Sequence, residues 1–580
     1  MTRRRSSADA PQDKGTKRQP ESSRSAARRA EQARRSALWA AYGDAIGFIS
    51  ELTDEAGLKR RTAGRPLDTP ISWTRRIGGR GGVNARLPVG CYSDDTQLRL
   101  ATSRAIGIAG FDAEAFAKVE LPVWTSYALG GGTSSKTAAA NLAKPTVAWF
   151  ANTYKGWQQA GGNGAAMRVH PHVWAATDLA DPREYIVDVM RNAVTTHGHP
   201  IGLVGAVLHA LCTAAAMERG EVLTPKGLGQ IVDQLGGMAP LLTMDAELAD
   251  MWLVTWQRAA RRSFDEAWQE ATEEARVAVR LVEQPGRGSE GYDAVLRNLG
   301  LFEPARRGSA LLTAIAAVAL TWCEPSPATA MAIAANAIGS DTDTIATMAG
   351  ALLGATTNED PPVDVLDSEL VVNEAERMAS LATGRPQSGQ RYPDLLTWNP
   401  PRTQADALVQ WGGDLAVTGL GRVSEVLGDP LIGTQRDFCW RWVRLETGQT
   451  LFIKSRQVIP EIHPESTSER ETRRHGTPGS GGTLVTGAAT TAQLFDTSET
   501  NLPSGAQPNT APSGSDVGDA EHPQYGTHPR QLELARVFAW LEEQGFQNEA
   551  LGYALRRVAR DGSTEQIASF LAILLERLRA

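Results

Sequence analysis

From Ala37 to Thr383 apolar residues recur every three to four positions, in runs broken by Gly-rich stretches. The clearest runs are Leu38 to Ile49, Leu98 to Ile106, Ile201 to Met217, Leu311 to Trp322, Thr329 to Ala337 and Thr344 to Leu353. Strand-like alternation is scarce between them, so the pattern predicts one large, mainly α, all-helical domain over residues 37–385. Clusters of carboxylates and hydroxyls fall at the junctions between these helices.

The pattern changes further on. Residues 386–408 are rich in Pro and polar residues and predict a linker. Over 409–462 Phe438, Trp440 and Trp442 alternate with Cys439, Arg441 and Val443, and Thr447-Gly448 offers a turn before Leu451-Phe452-Ile453, which predicts a small β-barrel-like module. Its aromatic residues suit a binding face or the module's own core, and the core is favoured because so small a unit must bury them. Residues 463–529 are dominated by Ser, Thr, Gly, Pro and Ala and predict a disordered linker. Helical periodicity returns in a C-terminal module, 530–580. Leu534, Val537, Phe538 and Leu541 form one face, Gly545 reads as a stop, Leu551, Leu555 and Val558 form a second face, and Ser563 with Gln566 makes a capping box before Ile567, Phe570, Leu571, Leu574, Leu575 and Leu578. The tethered module, or the β module at 409–462, is the expected surface for a protein partner.

Composition narrows the class. A hydrophobic fraction of 42% in 580 residues supports at least one large core. No apolar run reaches the roughly 18 uninterrupted residues of a membrane span, and residues 1–36 lack the apolar stretch of a secretory signal. Cys91, Cys212, Cys323 and Cys439 are too scattered for a zinc site or a disulfide scaffold, so a cytoplasmic location is expected. Residues 1–36 hold 11 Lys and Arg against 4 Asp and Glu, which predicts a basic disordered arm. Such an arm is a candidate for binding nucleic acid, although it has no aromatic residue on which a base would stack and is more often a solvated terminus.

The chemistry concentrates in two places, Ser93-Asp94-Asp95-Thr96 and Ser340-Asp341-Thr342-Asp343-Thr344, each opening an apolar helix. Ser, Thr and Asp are ordinary N-cap residues, and either cluster alone would be read as a cap. Together they gather four carboxylates that repel one another unless cations lie between them. An all-oxygen donor set favours magnesium, manganese or calcium over zinc.

Further elements accompany them in order. These are Gly43-Asp44-Ala45-Ile46-Gly47 with Glu51 on the same helical face as Asp44, Gly130-Gly131-Gly132-Thr133-Ser134-Ser135-Lys136, Gly162-Asn163-Gly164-Ala165-Ala166-Met167-Arg168, and Thr196-His197. In this order the set resembles the ADP-ribosylglycohydrolase family, of the dinitrogenase reductase-activating glycohydrolase type, over residues 37–383. The resemblance implies an all-helical catalytic domain and two metal ions, magnesium with manganese as a substitute, held by Ser93, Asp94, Asp95, Asp341, Asp343 and Thr344. It implies that Glu51, Asp94, Asp341 and Asp343 serve catalysis, and that Asp44 is structural. Gly131, Gly132, Ser135, Gly162, Asn163, Gly164 and Met167 would cradle ADP-ribose, with His197 as a substrate contact. The chain departs from the family pattern at Ser93, where Thr is common, at Ser340, where Gly is usual, and at Lys136, where Arg is frequent.

The implied function is a magnesium-dependent hydrolase cleaving the N- or O-glycosidic bond of an ADP-ribosylated protein side chain, nucleic acid or small molecule. Gly-rich loops suit its diphosphate and a hard dication suits the sugar at an oxocarbenium-like transition state. The alternative is a catalytically silent ADP-ribose-binding adaptor recruiting partners through its C-terminal modules, which would have no need of six metal-type donors. The pairs His170/His172 and His197/His199 invite a zinc reading, but no Cys accompanies them, and His170, His172 and His199 are expected on the surface or at caps. Trp149, Trp157 and Trp174 are candidates to stack on adenine or to fill the core.

Overall fold

The computed structural model describes residues 21–385, 387, 389–395, 398–434, 437–462 and 534–579. Six helices frame the site, labelled here in chain order: α1 (Glu21–Ser50), α2 (Asp94–Arg104), α3 (Thr133–Leu142), α4 (Pro200–Arg219), α5 (Ala310–Cys323) and α6 (Thr342–Thr356). The predicted helical runs of 37–385 fall in helices except at two ends, Ile106 lying in a short strand and Ala337 just past a helix, and one core joins them.

Helix α1 packs closely on α6, and the sequence shows why. Gly43 and Gly47 on α1 and Gly350 and Gly354 on α6 each lie one turn apart, and a Cβ at any of the four would overlap backbone of the partner helix. Hydroxyls stitch the seam, with Thr342 Oγ1 donating to the Gly47 carbonyl (2.9 Å) and Thr347 Oγ1 to the Ala40 carbonyl (2.7 Å). The start of α6, which carries Asp343, is thereby pressed against the helix that carries Asp44.

Helix α4 is long and apolar enough by composition to cross a membrane, but it lies buried in the core. His199 caps its start, accepting from Ile201 N at Nδ1 (3.2 Å), and Gly220 ends it with φ +72°. Gly205 lets α4 approach α5, since a Cβ there would overlap Ala310 backbone.

Several expectations need correction. The arm 1–36 is not disordered throughout: α1 begins at Glu21, while residues 1–20 lie outside the described residues. Its arginines serve as helix caps, Arg29 donating to the Val173 and Ala176 carbonyls (both 2.9 Å), Arg28 to Glu218 O and Arg35 to Thr357 O. The domain also contains an antiparallel hairpin, β1 (Trp73–Ile77) and β2 (Val83–Leu87), and a two-residue ladder of β3 (Ile106–Gly107) and β4 (Gly110–Phe111). The all-helical reading missed the hairpin because a charged residue, Arg75, interrupts its inward apolar positions.

The region 409–462 forms a six-stranded sheet of β5 (Leu408–Trp411), β6 (Asp414–Val417), β7 (Gly421–Ile432), β8 (Phe438–Leu445), β9 (Thr450–Arg456) and β10 (Glu461–Ile462), in the order β10-β5-β6-β7-β8-β9. It shares the domain's core: Trp440, Val443, Leu451, Phe452 and Ile453 are buried there. Buried polar contacts join the two, with Arg104 donating to both Glu120 oxygens (2.8 and 2.7 Å) and to Gln449 Oε1 (2.7 Å). The described part of 386–408 is packed as well, Tyr392 OH donating to Glu120 Oε1 (2.7 Å) and Trp398 Nε1 to Lys118 O (2.8 Å). The predicted disordered linker, 463–529, lies outside the described residues.

The C-terminal helices, Leu534–Glu543, Asn548–Asp561 and Thr564–Arg579, close on a separate core of Val537, Leu541, Ala554, Val558 and Phe570. The capping box forms as expected: Gln566 N donates to Ser563 Oγ (3.2 Å) and Ser563 N to Gln566 Oε1 (2.9 Å). Leu578 is helical, but its side chain lies outside the described set.

Candidate functional site

Asp44 lies on α1 and is fully buried. It accepts from Ser93 N (2.8 Å), Thr96 N (2.8 Å) and Thr96 Oγ1 (2.6 Å), and so fixes the start of α2 from beneath. Ser93 caps that helix, its Oγ accepting from Asp95 N (3.3 Å), which leaves Asp94 and Asp95 in the first turn. Arg99, also buried, donates to Thr96 Oγ1 (2.8 Å) and to Thr347 Oγ1 of α6 (3.0 Å), tying the two helices together.

The second cluster faces the first. Thr344 Oγ1 donates to Asp95 Oδ1 across the gap (3.4 Å), and Thr344 N to Asp343 Oδ1 (2.9 Å). Asp341 accepts from Asn163 Nδ2 (3.0 Å), so the Gly162-Asn163-Gly164 turn is joined directly to this half-site. Ser340 keeps the turn without glycine, its Oγ donating to Ala337 O (2.8 Å), while Gly339 takes the left-handed position at φ +97°.

The electrostatics of this assembly are unfavourable. Burial pushes the Asp94 carboxyl up to about 8, with Glu51 and Asp44 adding repulsion. Asp95 and Asp343 lie well above the usual carboxylate range for the same reasons, burial first and neighbouring carboxylates second. Asp95 Oδ2 is buried without a hydrogen-bond partner. An orphaned carboxylate oxygen amid oxygen-only donors is what a hard divalent cation would satisfy, and Asp94, Asp95, Asp341 and Asp343 with the Ser93 and Thr344 hydroxyls fit such a group. Among the described residues no three His, Cys, Asp or Glu groups already converge as a coordination shell.

Glu51 follows the last turn of α1 and pairs with Arg75, whose Nη1 and Nη2 both donate to Oε2 (3.0 and 3.1 Å). Burial raises its pKa, with the Arg75 charge opposing the rise and the Asp341 charge adding to it.

The loops expected to hold the ligand border these clusters. Gly130 (φ +115°) brings backbone against Asp94, where a Cβ would lie 2.5 Å from Oδ1, and Gly131 (φ +99°) continues the turn into α3, with Gly132 as its N-cap. Gly164 lies against Ser135 Oγ and His197, a Cβ there meeting them at 2.9 and 3.2 Å, and Gly162 approaches His197 Nε2. Asn163 N donates to Gly308 O (2.9 Å), clamping the turn to the approach of α5. His197 is neutral, lowered to about 3 by burial and then by Arg168. Arg168 donates to Thr196 Oγ1 (2.8 Å), and that hydroxyl lies 2.7 Å from His197 Nδ1. Donation from Thr196 to Nδ1 leaves Nε2–H as the free donor beside the turn.

Met167 is buried in the core beneath the turn, and Lys136 is exposed. Trp149, Trp157 and Trp174 are core residues. His170 and His172 are buried rather than at the surface, and His170 Nε2 lies 2.8 Å from His209 Nε2. Sequence reasoning gave no role to Arg75, Arg99 or Arg168, whose partners Glu51, Thr347 and Asn192 lie 24, 248 and 24 residues away. The one available signal was a lone arginine at an otherwise apolar helix or strand position.

The family model for ADP-ribosylglycohydrolase matches residues 25–380, and the chain belongs to that family. A solved structure described as an ADP-ribosylglycohydrolase-related protein complex aligns with 62% of this chain and 100% of its own, at 20% identity and a TM-score of 0.39. No curated protein matches. Membership supports a glycohydrolase function, with an ADP-ribosylated substrate.

Proposed function

We propose that the chain is a magnesium-dependent hydrolase that cleaves the N- or O-glycosidic bond joining ADP-ribose to a protein side chain, a nucleic acid or a small molecule. The observation that carries this reading is the meeting of two helix starts, Thr344 Oγ1 within 3.4 Å of Asp95 Oδ1, around buried carboxylates and an unpartnered Asp95 Oδ2. Two divalent cations, magnesium or manganese, would be held by Asp94, Asp95, Asp341 and Asp343 with Ser93 and Thr344. When bound, they supply positive charge that orients the distal ribose and lowers the pKa of a water.

The chain's own groups have distinct tasks in this scheme. Backbone at Gly130, Gly131, Gly132, Gly162 and Gly164 would approach the diphosphate closely, because no side chain intervenes, while the Asn163 side chain is turned to Asp341. His197 offers a neutral Nε2–H to a substrate oxygen, and Ser135 Oγ lies beside it. Glu51, with Oε2 clamped by Arg75, holds or moves a proton at Oε1 as the bond to the anomeric carbon breaks.

Calorimetric titration with Mg2+ and Mn2+ tests the metal reading. Asp343→Ala is expected to lower metal affinity at least tenfold relative to the wild-type chain, and unchanged affinity would overturn the donor assignment.

A further inference from the structure

The inward side of the β1–β2 hairpin carries Trp73, Arg75 and Ile77 on one strand and Val83, Ala85 and Leu87 on the other. Arg75 is the one charged residue among them, and a guanidinium at such a position needs a partner. It finds Glu51, giving both N–H groups to Oε2 and leaving Oε1 outside the clamp. The guanidinium lies over the Phe48 ring (4.4 Å), which fixes its plane. Arg61 pins the backbone of the same segment, donating to the carbonyls of Ile49 (2.8 Å) and Glu51 (3.0 Å).

The hairpin is held from its far end by residues beyond the family match at 25–380. Thr434 N donates to Gly81 O (3.2 Å). The Trp440 ring fills the space beside Gly78, where a Cβ would lie 2.5 Å from Cζ2 and φ is +84°. A second strut reaches the metal-type cluster, since Asp367 accepts from Thr450 N (2.7 Å) and Thr450 Oγ1 (2.6 Å) and also from the hydroxyl of Tyr92, the neighbour of Ser93 (2.7 Å).

We infer that Arg75 is the positioning residue for Glu51 and that the 408–462 sheet braces it in cis through Trp440 and Thr434, which makes the sheet part of the site's architecture. The inference rests on the reading of Glu51 as the proton-bearing group. An unbraced hairpin would let the Arg75 clamp drift, and a misplacement of about 1 Å at a reacting group is worth up to about 100-fold in rate.

The test uses the full chain with Arg75→Ala, Arg75→Lys and Trp440→Ala, read by steady-state kinetics, thermal melting and hydrogen exchange of residues 73–87. Arg75→Ala should lower kcat by about 10- to 100-fold with KM within about twofold, and Arg75→Lys should recover part of the loss, as it restores charge without the two-pronged geometry. Trp440→Ala should speed exchange across 73–87 and lower kcat in the same KM-sparing way, with no added loss in the double variant with Arg75→Ala. If Trp440→Ala fails to fold, Trp440→Phe takes its place. Wild-type exchange and wild-type kcat in the Trp440 variant would overturn the brace, and a loss confined to KM in Arg75→Ala would overturn the positioning role. Should the wild-type chain release no ADP-ribose from any substrate, the hydrolase reading falls, and exchange at 73–87 alone decides the brace.

Discussion

Asp44→Ala is the most revealing single change, because Asp44 supports the site while presenting nothing to a ligand. Its carboxylate accepts from two backbone N–H groups and one hydroxyl, all buried, at the start of α2. Removal leaves the Ser93 and Thr96 N–H groups without partners, at about 1 to 3 kcal/mol each, while the hydroxyl can turn elsewhere. Burial raises the Asp44 pKa, so part of this loss is offset by relief from desolvating a carboxylate. A net destabilisation of about 3 kcal/mol follows, a fall in Tm of about 3 °C for a domain of this size. Asp44→Asn keeps the acceptor for Ser93 N but sets an amide N–H against Thr96 N, and should lose about 1 to 2 kcal/mol. Thermal and urea unfolding read both values. An Asp44→Ala protein that melts within a degree of wild type, or an Asn variant no better than Ala, would refute the claim that Asp44 holds α2 in place.

Two further predictions concern the frame. Gly47→Ala forces a Cβ into the backbone at Thr342 and Asp343, so it should destabilise the chain by about 1 to 3 kcal/mol and weaken metal binding, as read by urea unfolding and calorimetry; wild-type behaviour would contradict the α1–α6 packing. His172 is buried and lowered to about 3 by burial and nearby Arg168 and Arg191, so its contribution to stability is lost as pH falls from about 6.5 toward 3. His172→Gln removes that loss, and its stability relative to wild type should rise by about 1 kcal/mol between pH 6.5 and 5.5 in urea unfolding; a pH-independent difference would contradict it.

What the sequence made legible follows from where its signals are local. The two carboxylate clusters stand out because polar residues interrupt an apolar pattern at helix starts, and both helices begin there. The pairs Gly43 with Gly47 and Gly350 with Gly354 were passed over, because their role appears only once the two helices meet, across a contact that spans 307 residues between Ala40 and Thr347. Charge misled at the N-terminus. Arg29 and Arg35 look like tail residues until the carbonyls at distant helix ends are in place to receive them. The sheet was visible as strands, but an apolar face does not say what will cover it, and here it is the helical domain. Arg75 escaped for the opposite reason, its charge breaking the alternation that would have announced the hairpin.

The most direct measurement is ADP-ribose release from a panel of ADP-ribosylated arginine, serine and nucleic-acid substrates, with Mg2+ and with EDTA, using the wild-type chain and Asp94→Ala. Metal-dependent release from at least one substrate, lost in EDTA and reduced by at least about 100-fold in Asp94→Ala, is the predicted result. Tight ADP-ribose binding with no release from any substrate, or release that persists undiminished in EDTA, would contradict the account.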